Sequence, residues 1–65
     1  MNDPAELFAR LTCQLEDLHG LTIEGQCTDQ PTEVLSVLAT SIGNGLQNVD
    51  VTLAEIMRAI GGEHS

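Results

Sequence analysis

The side chains able to do chemistry in this chain are few and scattered. It has two cysteines, Cys13 and Cys27, two histidines, His19 and His64, and a surplus of carboxylates. The cysteines form no CxxC pair, so neither a redox motif nor a zinc site is written here. They read as free thiols, with a bridge between chains as the lesser alternative. Glu16 and Asp17 are adjacent and therefore point apart on a helix instead of sharing a proton. His19 reads as a favourable partial charge at a helix C-terminus, and His64 belongs to a tail. Gly43-Asn44-Gly45 lacks the Lys-Ser/Thr that completes a phosphate loop. The expectation is a non-enzyme with no catalytic, cofactor or metal site.

One spacing carries a different chemistry. Ala39, Gly43 and Val49 fall where a helix-turn-helix places its small residue, its glycine and a later apolar residue, with Leu38 and Ile42 also in phase. Asn44 and Thr52, however, stand where apolar residues are usual. The would-be recognition helix, 45–53, holds Asp50 and neither Lys nor Arg. DNA readers draw most of their hydrogen bonds from phosphates through basic and polar side chains. A DNA-binding protein is therefore only a further alternative. The glycines read better as places where another helix comes close, because Val34, Val37, Ser41 and Gly45 make a second row beside the main apolar one.

Charge narrows the choice of partner. Ten acidic residues face two basic ones, Arg10 and Arg58, giving a net charge of −8 and a pI near 4.1. Nucleic acid and anionic membrane surfaces repel such a chain, whereas a basic protein is steered towards it. The same acids also keep an apolar helical protein soluble. Arg10 is expected to pair with Glu6 or Asp3 and Arg58 with Glu55, within each helix. No apolar run approaches the ~18 residues of a membrane span, and Met1-Asn2-Asp3-Pro4 has no basic, signal-like start. A cytoplasmic location is expected.

The elements that must position these residues are helical. Phe8 is the one aromatic residue, and Leu, Ile, Val and Ala supply the apolar content, which suits helix–helix packing better than a small sheet. Asp3-Pro4-Ala5-Glu6 carries an N-cap, a proline at the first turn and an acid at the positive helix end. Helix 1 is predicted over about 4–19, with Gly20 as a left-handed stop. A connection over 20–30 follows, in which Leu21 and Ile23 plug the open end of the pair. Helix 2 is predicted over about 31–60, capped by Asp29 or Gln30 ahead of Pro31 and ended by Gly61-Gly62.

Helix 2 carries an apolar stripe of Leu35, Leu38, Ile42, Leu46, Val49, Leu53, Ile56 and Ile60, at spacings of 3, 4, 4, 3, 4, 3 and 4. The mean step is about 3.6, the α-helical period. Gly43, Gly45 and Asn48-Val49-Asp50-Val51-Thr52 weaken its middle, so a break within 43–52 competes with a continuous helix. The period keeps phase through that zone, which favours continuity.

The fold class that results is all-α: an antiparallel helical hairpin in a single small domain, 1–65. A helix 1 of about 16 residues spans roughly 24 Å and a continuous helix 2 over 40 Å, so helix 1 cannot cover the whole stripe. A domain this small also needs a staple, and oligomerisation is the one left. Val49, Leu53, Ile56, Met57 and Ile60 are the expected partner or dimer interface, with Asp50 and Glu55 as its acidic rim. The expected partners are a second copy, giving a homodimeric bundle, and another protein, with a basic regulator among the candidates. The function that follows is transcription regulation by sequestering a basic, DNA-binding protein in anti-activator or antitoxin fashion. The alternative is a structural helical dimer or assembly subunit.

Overall fold

In the computed structural model the described residues form two α-helices, α1 over Pro4–Gly25 and α2 over Thr32–His64, folded back on each other. The structure describes residues 3–27 and 29–64, with side chains described as far as Gly61; Met1, Asn2, Thr28 and Ser65 lie outside. The α1 start follows from its sequence. Asp3 has extended backbone, its Oδ1 accepts from the Ala5 N–H at 3.2 Å, its carbonyl accepts from Leu7 N–H, and Pro4 needs no N–H partner there.

α1 is six residues longer than the sequence implies. It passes through Gly20 in ordinary helical geometry, and no described glycine has a positive φ. The reason is tertiary. Leu18, Leu21 and Gly25 continue the inward row, and covering Leu21 offsets the ~1 kcal/mol that a glycine costs a helix. Leu21 and Ile23 are thus helical residues, the first half-buried and the second exposed. His19 lies inside the helix and caps nothing. The true end tightens through Gln26 N–H to Ile23 carbonyl and Cys27 N–H to Glu24 carbonyl. Only 26–31 remain as connection. α2 begins with the Pro31 carbonyl accepting from Leu35 N–H, so Pro31 holds the cap position in place of Asp29 or Gln30.

α2 is one unbroken helix of 33 residues. Its weak middle is carried by packing against α1, and it continues through Gly61 and 62 to His64. The segment 39–53 contains no turn, so the helix-turn-helix geometry is not formed.

The pair is a rod of 52 × 15 × 14 Å. Its radius of gyration, 15.3 Å, compares with about 11 Å for a compact chain of this length. Such a rod has one seam and almost no interior. Leu7, Leu18, Thr52 and Ile56 are the buried residues among those described. Around them run two half-buried rows. On α1 the row is Leu7, Leu11, Gln14, Leu18, Leu21, Gly25; on α2 it is Leu38, Ile42, Gly45, Val49, Thr52, Ile56, Ala59. Both alternate steps of 3 and 4, the heptad pattern of helices wound around each other.

Candidate functional site

Two contacts fix how the helices face each other. A Cβ placed on Gly45 would run into Leu18 Cδ2 and sit 3.2 Å from its Cγ, so the backbones approach closely there. Arg10 Nη1 lies 3.5 Å from Glu55 Oε2 across the pair. Arg10 thus bridges to the other helix, where the sequence implied a partner within its own. The hydroxyl of buried Thr52 donates to its own helix, to Asn48 carbonyl at 3.1 Å, so a polar residue at the seam is satisfied. Gln14 is different: its Oε1 is buried and has no hydrogen-bond partner.

The seam on α2 is rotated from the stripe of large residues. Every second contact position is small: Gly45, Thr52, Ala59. The next residue along is large in each case: Leu46, Leu53, Ile60. These three are exposed. On α1 the same one-residue offset past Leu7 and Gln14 gives Phe8 and Leu15, both about half exposed. In an antiparallel helix pair, residues that follow a contact on the two helices emerge on one side, and those that precede a contact emerge on the other. Arg10 precedes Leu11 and Glu55 precedes Ile56, and their ion pair marks the polar side. Phe8, Leu15, Leu46, Leu53 and Ile60 therefore share the opposite side, as a continuous apolar face built from both helices. Met57, 72% exposed, extends it on α2.

The expected interface residues divide accordingly. Leu53, Met57 and Ile60 lie on the open face. Ile56 is only 3% exposed, because α1 covers it, and Val49 is half-buried in the same seam. Asp50 flanks the open face, lining a shallow hollow with Val51, Leu53, Ala54 and Met57. Glu55 is on the polar side with Arg10 and is not part of the rim. Phe8 and Leu15 are not among the expected interface residues, because the sequence alone does not show which side of helix 1 meets helix 2. The repeat of Phe8 and Leu15 seven residues apart, like Leu46, Leu53 and Ile60, is the signal that finds them.

The rest of the surface holds little chemistry. Cys13 and Cys27 are free and exposed. Thr12, Leu15, Glu16, His19 and Gly20 line a second shallow hollow. No group of three or more His, Cys, Asp or Glu able to hold a metal occurs among the described residues, and among them no helix is long and apolar enough to cross a membrane. No protein-family profile, curated protein or solved structure matches the chain.

Proposed function

We propose that this chain is a small acidic, non-enzymatic regulator that acts by protein–protein binding, with the apolar face as its docking surface. One observation carries the reading. Eleven large apolar side chains are exposed among the described residues, and five of them, with Met57, form one face that uses both helices. Scattered apolar residues need no explanation, but a contiguous face rimmed by polar groups marks an interaction surface. The net charge of −8 suits a basic protein partner, and sequestration of a DNA-binding protein in anti-activator or antitoxin fashion is the regulatory form of this reading. A cytoplasmic setting goes with it. The second reading, supported by the same face, is a structural helical dimer or assembly subunit.

Titration with a basic amphipathic helical peptide, followed by calorimetry at low and high salt, tests the regulatory form. Saturable binding that weakens as salt rises, and weakens further in Asp50→Lys, is expected. Binding that ignores both salt and Asp50 sinks the electrostatic selection, and no saturable binding at low salt sinks the basic partner.

A further inference from the structure

We infer that the occupant of the apolar face is a second copy of this chain, two hairpins closing face to face into a four-helix bundle. The inference rests on the reading of that face as a protein-docking surface and names what docks. Three observations support it.

The first is the pattern. A helix that meets a single partner needs two apolar positions in each heptad, whereas a helix inside a bundle needs three. α2 has the third position filled in three successive heptads, at Leu46, Leu53 and Ile60, and α1 in two, at Phe8 and Leu15. Both helices are thus equipped for a second neighbour on the same side, which a flat, two-helix surface of the same composition satisfies directly. A groove for one foreign helix would need only the crevice between α1 and α2.

The second is the division of sizes. The seam within the chain uses Gly45, Thr52 and Ala59, and the open face uses Leu46, Leu53 and Ile60. The small residues seat α1 closely, and the large ones are reserved for a contact that the single chain does not make.

The third is area. The chain exposes 4917 Å², about 900 Å² more than the roughly 4,000 Å² of a compact protein of 6.9 kDa. A stable two-protein interface takes about 800 Å² from each partner. The rod therefore has surface enough to give up what one partner contributes. Phe8, Leu15, Leu46, Leu53, Met57 and Ile60 supply the apolar part of it.

Charge makes the inference separable from the alternative. Two chains of net charge −8 repel, so added salt strengthens their association, while it weakens the binding of a basic partner. The experiment is sedimentation equilibrium of the full chain at several salt concentrations, with thermal melts at low and high protein concentration. The expected result is a species of twice the 6.9 kDa chain mass, tighter in high salt, with a melting point that rises with protein concentration. Leu53→Glu is expected to weaken association on the order of a hundredfold, while Val37→Glu, at an exposed site on α2 outside the face, leaves it unchanged. Should Leu53→Glu fail to fold alone, the concentration dependence of the unmodified chain still decides. A monomer with a concentration-independent melt overturns the second copy as occupant. So does a dimer that survives Leu53→Glu and Leu15→Glu together. A monomer that still binds the basic peptide leaves the docking reading standing with a different occupant, and a monomer that binds nothing removes both.

Discussion

Gly43 and Gly45 lie two residues apart in α2 and invite the same substitution with opposite results. Replacing glycine by alanine inside a helix stabilises it by about 1 kcal/mol at either position, since the unfolded chain has fewer states to lose. At Gly43 a Cβ meets nothing within 4 Å, so Gly43→Ala keeps the whole gain. For a domain of this size that raises the melting point by roughly 4–8 °C. At Gly45 the added carbon runs into Leu18, itself 9% exposed and held between the helices. Leu18 must shift or the helices must part, and overpacking of this kind costs typically 1–3 kcal/mol. Gly45→Ala is therefore neutral to destabilising by up to about 2 kcal/mol, and the two variants differ by roughly 1–3 kcal/mol. Circular-dichroism melts and urea titrations at one fixed protein concentration measure the difference and keep association constant. If Gly45→Ala proves as stabilising as Gly43→Ala, the close approach at Leu18 is wrong, and with it the register that places the apolar face.

Two further substitutions probe the seam and the cap. Gln14→Leu removes a buried oxygen that has no partner, which costs about 1–3 kcal/mol where it stands, and supplies an apolar side chain of similar size; a higher urea midpoint is expected, and a lower one would mean that the amide is satisfied in solution. Asp3→Ala deletes the acceptor for Ala5 N–H and is expected to cost about 1 kcal/mol, read as a lower melting point with early loss of amide protection confined to the first turn of α1.

The residues that made the architecture readable are those whose local and tertiary demands agree. Asp3 and Pro4 cap α1 as their types require. The phase held by Ile42, Val49 and Ile56 outweighs two glycines in the middle of α2, and those three residues do lie along the seam. The departures from the expected helix bounds share one cause. Gly20 and the Gly61-Gly62 pair are stop signals by local propensity, but each glycine costs only ~1 kcal/mol; at Gly20 the contacts of Leu21 and Gly25 on either side of the signal override it. The seam departs from the apolar stripe by one residue in alternate turns. A sequence reading puts the largest apolar residues inside, whereas close helix approach selects small ones, so Gly45, Thr52 and Ala59 took the contact and their large neighbours were left outside. Arg10 is expected to pair with Glu6 or Asp3 for a related reason: spacing within a helix is visible in the sequence, but the helix across the seam is not.

That one-residue rotation decides which apolar side chains the hairpin leaves exposed. Had Leu46, Leu53 and Ile60 formed the seam, α1 would have covered α2 with large side chains, the opposite sides would have been polar, and the chain would have had a self-sufficient pair. With the small residues inside, the apolar content is split between two contacts, and only one is made within the chain. The buried set of Leu7, Leu18, Thr52 and Ile56 is small for a chain of 65 residues, and each further Leu or Ile covered adds on the order of 2 kcal/mol. Folding and binding are then linked: whatever closes the face of Phe8, Leu15, Leu46, Leu53 and Ile60 also stabilises the hairpin that presents it.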